Sequence, residues 1–443
     1  MSFDLDHYIS DFDQLQKNDN WFSEQRQSAL NLFKETGFPS SRQEDWRYTD
    51  VRPIAKKKFS NIHEHAISLS NKEVDAVRFQ GLDCIELVFI NGVFCKEHSH
   101  LDDLPANVII ENMADALKED DALLAKHLAH HADNKISPFT ALNTAFIQHG
   151  TYIHVPKNTV IEKPINILYL SKADKSPFAT HPRNLIIMAE HSEATVIESY
   201  VGIDDGDYFT NAVTEVALSA DAILKHYKVQ QESLNAYHVG NLNVVHGKNS
   251  KLESHSISLG GSLVRNDIHS QLAAEGAEIV MNGLYMTTDK QHVDNHTRVD
   301  HLKPNTFSTE NYRGILNGKS RAVFNGKVIV HKDAQKIEAH QNNANLLLSN
   351  DAEIDTKPEL EIYADDVKCS HGATVGQLDQ NMLFYLRSRA IDEETARSLL
   401  TYAFADELIS NISFIPIRNR LERLVIGQLP DAALIREFTN EQS

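Results

Sequence analysis

The sequence predicts a mostly β protein with a parallel β-helix core between helical N-terminal and C-terminal domains. From Thr151 onward, more than two hundred residues contain no convincing helix, only short runs of alternating apolar residues separated by small polar turns. A unit of turn and strand that repeats at a fixed interval is typical of a solenoid, in which each coil buries its apolar side by stacking on its neighbours. The turns recur at intervals of 28, 29 and 27 residues, at Ser192-Glu193, Ala220-Asp221, Asn249-Ser250 and Gly276-Ala277.

Two other β architectures compete with the parallel β-helix for the same region. An antiparallel sandwich is the main alternative, because it also combines short strands with frequent turns. Strong two-residue hairpin turns are absent from most of the region, which favours parallel strands. A left-handed hexapeptide helix would need strict six-residue apolar spacing, which the sequence lacks.

The part before the solenoid is predicted to be mainly helical, with one short β-hairpin. Trp21–Thr36 carries apolar residues at helical spacing and meets a stop signal at Gly37. A hairpin is predicted around Cys84–Val93, because Asn91-Gly92 is a strong hairpin dipeptide. Two further helices are predicted, over Met113–Ala129 and in a stretch that ends at Gly150.

The part after the solenoid is predicted to be helical again. Asp379 suits the N-cap of a helix that runs through Arg389, and Asp392 suits the start of a second, amphipathic helix. Pro416 interrupts that second pattern. These helices cannot all bury their apolar faces within a β-helix, so they cap its end, contact another protein, or do both. The predicted domains are residues 1–150, 151–376 and 377–443.

Composition excludes several classes of protein. The 443 residues carry a formal net charge of −19, which argues against nucleic acid as a partner because phosphate binding requires a basic surface. No run of 18 apolar residues exists, so no membrane span is expected. The N-terminus is acidic and lacks the basic and apolar parts of a signal peptide, which predicts a cytoplasmic location.

Three cysteines in a chain of this length exclude a disulfide framework. Cys84 and Cys95 lie eleven residues apart in apolar, strand-like sequence. That separation matches no zinc site, so we interpret both as buried free thiols.

The third cysteine, Cys369, precedes His371 by two residues and forms the main candidate site. If Val367–His371 is a strand, Val367, Cys369 and His371 share one face, and Gly372 is expected to end the run. A thiol beside an imidazole suggests metal or nucleophile chemistry. However, two ligands do not complete a metal site, and no orienting group or oxyanion device is visible nearby. From the residues alone, a buried thiol and a hydrogen-bonded histidine are the preferred interpretation.

Two other patterns are interpreted as structural. Gly314–Ser320 resembles a phosphate-binding loop but has three residues between its glycines instead of four, and it leads into a predicted strand rather than a helix. We therefore expect a β-turn there and no ATP hydrolysis by this chain. A group of histidines and aspartates matches no defined spacing and is interpreted as free of bound metal. Its members are His292, Asp294, His296, Asp300, His301, His331 and His340.

Three segments resemble the SufD family of the SUF iron–sulfur cluster assembly system. The most specific is EIYADDVKCSHGATVG followed by LFYLRSRAI, which contains Cys369 and His371. The others are EDWRYTDVRPIAKKKF at Glu44–Phe59 and LNTAFIQHGTYIHVPKNTVIEKPI at Leu142–Ile165. The first of these two is interpreted as an arm that packs on the core. Together the segments span most of the chain in the order that the family shows.

This resemblance implies a right-handed β-helix and a non-catalytic scaffold that pairs with the sister subunit SufB through that β-helix. It makes His371 a candidate ligand of iron or of a transient cluster at the SufB contact, whereas for Cys369 both interpretations stay open. No tightly bound cofactor is expected in the single chain, and the isolated chain could also form a homodimer. The resemblance further implies that the ATPase SufC docks on the C-terminal helices, for which the candidate residues are Leu383, Leu386, Leu399, Leu400, Phe404 and Leu408.

The sequence around the candidate site, KCSHGAT, and the absence of any CxxC motif favour SufD over SufB. Two alternatives from other classes were considered. A carbohydrate-active β-helix enzyme would need export and a cluster of acidic or basic residues on one strand face, and neither is visible. A free-standing metal-binding protein would use the histidines and would hold stoichiometric metal as a single chain.

Overall fold

Two sheets of ten strands face each other and form a β-solenoid of about 8 turns, with helices before and after it. The computed structural model describes residues 5–15, 20–61, 67–102, 104–119, 121–173 and 176–430. The predicted β-helix with helical flanks is therefore confirmed, and the antiparallel sandwich is excluded because nearly all strand pairs in the described residues are parallel. Within the same residues, no helix is long and apolar enough to cross a membrane.

The helices before the solenoid are α1 (Asp6–Leu15), α2 (Ser23–Thr36), α3 (Arg52–Lys56), α4 (Asn71–Asp75), α5 (Met113–Ala116), α6 (Ala122–His127) and α7 (Pro138–Ala145). Those after it are α8 (Gln380–Ser388), α9 (Glu393–Ile409) and α10 (Ile415–Gly427). Short 3₁₀ turns lie at Glu44–Trp46 and Lys96–His98.

The strands up to the first regular coils are β1 (Ile85–Ile90), β2 (Val93–Phe94), β3 (Ile109–Asn112), β4 (Thr151–Val155), β5 (Ile165–Ser171), β6 (Phe178–Thr180) and β7 (Arg183–Met188). The regular coils contain β8 (Glu193–Gly202), β9 (Tyr208–Leu218), β10 (Ile223–Gln231), β11 (Tyr237–His246), β12 (Lys251–Ser258), β13 (Leu263–Leu272) and β14 (Glu278–Thr287). The last are β15 (His292–His301), β16 (Phe307–Leu316), β17 (Arg321–Val330), β18 (Ile337–Leu347), β19 (Glu353–Ile362) and β20 (Val367–Gly376).

Each regular coil contributes one strand to each sheet. The first sheet runs in the order β2-β1-β5-β8-β10-β12-β14-β16-β18-β20, and the second runs β19-β17-β15-β13-β11-β9-β7-β4-β3, with β6 beside β9. The predicted turn repeat sets this stacking, because the residues that follow successive turns pair with one another. Along the first sheet these partners are Glu193, Ile223, Lys251, Glu278 and Phe307.

Local sequence signals correctly predicted the end of α2, the N-caps of α8 and α9 and the β1–β2 hairpin. α2 ends before Gly37, which has a φ of 63° and donates its N–H to the Phe33 carbonyl. The carboxylates of Asp379 and Asp392 cap α8 and α9 by accepting backbone N–H groups. β1 and β2 form the predicted hairpin around Asn91-Gly92, where both residues have positive φ.

Other expectations were wrong in their extent. The single helix over Met113–Ala129 is two short helices, because Asp121 caps a new helix by accepting the N–H of Leu123. The helix expected to reach Gly150 ends at Ala145, and the next residues turn so that Phe146 and Ile147 enter two different apolar clusters.

The C-terminal part also differs from its prediction. Pro416 was predicted to interrupt a helix. It lies in the first turn of a new helix, α10, at a position where proline is favoured. The predicted C-terminal domain extends to residue 443, and its residues 431–443 lie outside the described residues.

The hairpin before residue 150 belongs to the solenoid rather than to a separate helical unit. β1 pairs in parallel with β5, with Ile85 opposite Ile165 and Ile90 opposite Leu170. β3 likewise extends the second sheet by pairing with β4 in antiparallel orientation. The sheets therefore begin in the N-terminal sequence.

Candidate functional site

The candidate pair Cys369 and His371 lies on β20, the last strand of the first sheet. The predicted strand is confirmed, but Gly372 does not end it, because β20 continues to Gly376 and stays paired with β18. Ala339 is opposite Cys369, and Gln341 is opposite His371. In the described residues β20 has no strand on its other side, and β19 ends the second sheet in the same way.

Cys369 and His371 share the face of β20 that points into the solenoid. Val367 and Cys369 are partly buried and pack against the solenoid core, and His371 follows at the same parity but is exposed. Burial raises the pKa of the Cys369 thiol above its ordinary value. The thiol is therefore a poor nucleophile and metal ligand until a metal or a partner displaces its proton.

No third ligand stands beside this pair. In the part of the chain that the structure describes, no group of three His, Cys, Asp or Glu side chains could hold a metal ion. Neither ring nitrogen of His371 has a hydrogen-bond partner among these residues. On the outer face, the hydroxyl of Ser370 lies 2.7 Å from Nδ1 of His340. The structure therefore brings Cys369 and His371 onto one face and leaves His371 available at the end of the solenoid.

Two further polar residues lie behind His371, and the sequence analysis missed them. Glu310, Gln341 and His371 are successive partners across β16, β18 and β20, and all three face the interior of the solenoid. Glu310 and Gln341 are 1% and 3% exposed. The coil repeat could have found them, because it aligns the three positions at intervals close to thirty residues.

The last coil differs from the others in exposure. β7 is buried at every position, whereas most residues of β20 are exposed. Three large apolar side chains at this end are open to solvent: Ile362, Tyr363 and Val375 are 41%, 61% and 49% exposed. An edge strand with apolar side chains and unpaired backbone groups is a template for another strand.

The residues proposed to dock the ATPase are mostly held within the chain. Leu383 and Leu408 are buried, at 5% and 1% exposure, so these two side chains pack inside the chain, and their contact with a partner stays a prediction. The helices pack their apolar stripes on β14, β16 and β18, and that packing covers part of the predicted docking surface. The other four are only partly buried against the same clusters: Leu386, Leu399, Leu400 and Phe404.

A different face of α8 is exposed to solvent in the described residues. Met382, Phe384 and Tyr385 are 56%, 75% and 54% exposed. We call these three residues the α8 patch. Its residues lie a few positions after β20, so the patch and the open end of the solenoid are neighbours in the chain.

The members of the histidine and aspartate group are held by hydrogen bonds and ion pairs within the chain. Nε2 of His292 lies 2.8 Å from the Thr49 hydroxyl, and Nε2 of His296 lies 3.0 Å from the Asp294 carboxylate. Asp300 accepts hydrogen bonds from Arg298 and lies within 3.1 Å of two imidazoles. These contacts hold strands and the N-terminal arm together.

The N-terminal arm packs on the second sheet as predicted. The Arg265 guanidinium lies 3.8 Å from the centroid of the Trp46 ring, and the same guanidinium donates to Asp294 at 2.8 Å. The phosphate-loop-like segment at residues 314–320 is the end of β16 and the turn into β17, which confirms the predicted β-turn. Cys84 and Cys95 are free thiols, and both are half-buried rather than fully buried.

Comparison with known proteins gives the family. The SufBD core domain of the SUF system for FeS cluster assembly matches residues 169–404, and the SufBD protein N-terminal region matches residues 5–167. The iron–sulfur cluster assembly protein SufD of Escherichia coli is 32% identical over 93% of this chain and 94% of its own length. The iron–sulfur cluster assembly SufBD family protein slr0076 of Synechocystis is 32% identical over 90% of this chain and 89% of its own.

The SufB protein of Bacillus subtilis is also similar, at 26% identity over 70% of this chain and 66% of that protein. The similarity to SufD therefore covers more of both chains than the similarity to SufB. The two family matches together cover almost the whole sequence that the structure describes. The chain belongs to the SufBD family of iron–sulfur cluster assembly proteins, as the three sequence segments predicted.

Proposed function

We propose that this chain is a non-catalytic, SufD-type scaffold subunit that pairs with a SufB-type subunit through β19 and β20. One observation carries the proposal: both sheets end in ten-residue strands whose outer backbone edge is unpaired in the described residues, and His371 is exposed on the last of these strands. Long flat edges of this kind are normally blunted or covered in a protein that acts alone.

Strand addition suits this end of the solenoid. A second solenoid that places its own last strands against β19 and β20 would satisfy the open backbone groups of both chains. It would also cover Ile362, Tyr363 and Val375. The pairing would therefore turn an exposed apolar end into the middle of a continuous sheet.

The chemistry of the site is that of a partial ligand set. Iron–sulfur clusters are held by several thiolates, and a histidine can replace a cysteine. The other two cysteines, Cys84 and Cys95, flank the β1–β2 hairpin at the opposite end of the first sheet. His371 would supply one ligand to a transient cluster or iron ion, Cys369 at most a second, and the SufB-type subunit the remainder.

Docking of an ABC-type ATPase is proposed for the α8 patch rather than for the buried stripe. Met382, Phe384 and Tyr385 leave three large apolar side chains open to solvent a few residues after β20. α9 is anchored on the solenoid by Arg313, which donates to the Phe404 carbonyl at 3.0 Å and pairs with Glu407. Movement of a bound ATPase would then reach β16 and the end of the solenoid through these helices.

Replacement of His371 tests the ligand role. His371→Ala is expected to leave folding and pairing intact and to reduce cluster assembly by the co-expressed complex at least tenfold. His340→Ala is the matched control, because His340 lies on the adjacent strand but on the outer face. Full cluster assembly by the His371 variant would overturn the ligand role.

Co-purification tests the two contacts separately. Phe384→Asp is expected to abolish retention of an ABC-type ATPase, while Ile136→Asp, at a similarly exposed apolar site, is expected to have no effect. Retention of the ATPase by the Phe384 variant would place the contact elsewhere. Failure of the unaltered chain to retain a SufB-type subunit would contradict the pairing itself.

A further inference from the structure

Gln341 lies between the candidate ligand and a buried carboxyl group. Its Nε2 donates to Oε2 of Glu310 at 3.3 Å, and the Thr297 hydroxyl donates to the same oxygen at 2.5 Å. The other oxygens, Oε1 of Gln341 and Oε1 of Glu310, are buried and have no hydrogen-bond partner in the described residues. A buried acceptor without a donor is costly, so the Gln341 oxygen requires a donor that this arrangement does not yet supply.

The glutamine is held in place by its surroundings. Across the interior, Gly326 on β17 leaves space for its amide, since a Cβ at Gly326 would lie only 1.8 Å from the Gln341 Nε2. Glu310 fixes the orientation of the Gln341 amide, because its carboxyl oxygen accepts a hydrogen bond and therefore requires the NH₂ group, not the carbonyl oxygen, on its side. The carbonyl end of Gln341 is thereby left for another neighbour.

The next residue along this interior row is His371. It is the register partner of Gln341, about 4.8 Å away at the backbone, and it faces the same side. A histidine that ligates a metal almost always donates its other ring N–H to a carboxylate or carbonyl, which fixes the ring. The free acceptor of Gln341 and the free ring of His371 match this requirement.

We propose that Gln341 is a positioning residue for His371, whose ring N–H donates to the Gln341 Oε1, and that Glu310 and Gly326 hold the amide for this purpose. The inference rests on the proposed ligand role of His371. It assigns a function to three residues of the solenoid interior that lie behind the site rather than in it.

The test uses the full chain co-expressed with its SufB-type partner. Gln341→Leu keeps the size of the side chain and removes the acceptor, so retention of the cluster is expected to fall about 10- to 100-fold. The ¹⁴N coupling of the ligating imidazole, measured by pulsed electron paramagnetic resonance on the reduced cluster, is expected to change as well. Gln230→Leu is the control, because Gln230 is equally buried and also donates to a glutamate, but far from His371.

A double variant separates positioning from stability. Glu310→Gln with Gln341→Glu reverses the pair, so that an amide donates to a carboxylate and an acceptor again faces His371. Cluster retention and the ¹⁴N coupling are expected to recover in this variant. Unfolding midpoints of all variants identify any loss that comes from misfolding alone, and failure of a folded double variant to recover would contradict the proposal.

The outcomes distinguish this inference from the function on which it rests. If His371→Ala loses the cluster while Gln341→Leu keeps both the cluster and the ¹⁴N coupling, the positioning role is wrong and the ligand role stands. If His371→Ala itself keeps the cluster with unchanged coupling, the ligand role fails and the positioning role fails with it.

Discussion

The two ends of the solenoid use the same coil but end their sheets differently. At the N-terminal end the outermost strands are short and antiparallel, with two residues in β2 and four in β3. At the C-terminal end the outermost strands are the ten-residue, parallel β19 and β20. Short, turned-back strands blunt a sheet edge, whereas long regular ones invite another strand. In the described residues the N-terminal end is therefore blunted, and we call it the closed end, whereas the C-terminal end keeps two long unpaired edges, and we call it the open end.

The buried charges follow the same division. Near the closed end Arg183 and Glu215, both fully buried, are paired at 2.7 Å, and three backbone N–H groups donate to the same carboxylate. Nearer the open end, Glu310 is buried without a cationic partner in the described residues. Glu215 is therefore compensated by a buried cation within the chain, whereas Glu310 is not.

The largest effect on the free energy of unfolding is expected at the closed end. Arg183→Ala leaves Glu215 as an uncompensated buried charge and should lower that free energy by about 3–5 kcal/mol. Arg321→Ala removes a half-exposed pair with Asp355 near the open end and should cost at most about 1 kcal/mol. Urea unfolding of both variants measures the difference, and equal losses would contradict the division between the ends.

A pH-dependent effect of intermediate size is expected at Glu310. Burial raises the pKa of its carboxyl from 4.5 to about 7, against hydrogen bonds from Thr297 and Gln341 that lower it. Because the folded chain holds this proton more tightly than the unfolded chain, stability falls as pH rises from 4.5 to about 7, by about 3 kcal/mol at most. Glu310→Gln should therefore gain stability relative to the unaltered chain between pH 5 and pH 8.

Glu198 provides the opposite sign for this measurement. Burial raises its pKa, but hydrogen bonds from His226, Thr214 and Tyr200 outweigh burial and lower it to about 2. Its ionised form thus stabilises the fold above pH 4.5, and that contribution is lost as pH falls towards 2. Glu198→Gln should therefore lower the free energy of unfolding at neutral pH. Urea unfolding across the pH range measures this for both variants. If Glu310→Gln and Glu198→Gln change the free energy of unfolding in the same direction at neutral pH, the contrast between the two glutamates is wrong.

The smallest change in the free energy of unfolding is expected at the open edge itself. Val375→Lys places a charge on an exposed position of β20 and should alter stability by less than about 0.5 kcal/mol. The same change should abolish co-purification with a SufB-type subunit, because a lysine on an edge strand opposes strand addition. Leu234→Lys, at an equally exposed apolar position in another coil, serves as the control. Unchanged pairing of the Val375 variant would show that this edge is not the contact.

Much of the fold could be predicted because its signals are local. The turns at Ala220-Asp221 and Asn249-Ser250 repeat at the coil period, and positive φ at Asp221 and Asn249 shows why those residue types recur there. The caps at Asp379 and Asp392 depend only on a side chain and the next few backbone N–H groups. Such signals require no knowledge of distant neighbours.

The division of the apolar helical residues between core and surface could not be predicted in the same way. The apolar spacing of α8 and α9 correctly indicated amphipathic helices, but spacing does not state which apolar residues meet the solenoid and which stay exposed. Leu408 is buried against the core, and Phe384 is open to solvent, although both are large apolar residues on helices. The contribution of β1 to the first sheet was missed for the same reason, since parallel pairing joins residues about eighty positions apart.

Patterns in the amino-acid sequence are sufficient to predict the solenoid, its coil period, the flanking helices and the strand that carries Cys369 and His371. Each depends on periodicity or on a turn, and both are properties of neighbouring residues. The unpaired edges at β19 and β20, and the alignment of Glu310 and Gln341 behind His371, become visible only in the three-dimensional arrangement of the coils. Those facts depend on register between strands about thirty residues apart, and stacking of coils, rather than local preference, determines that register.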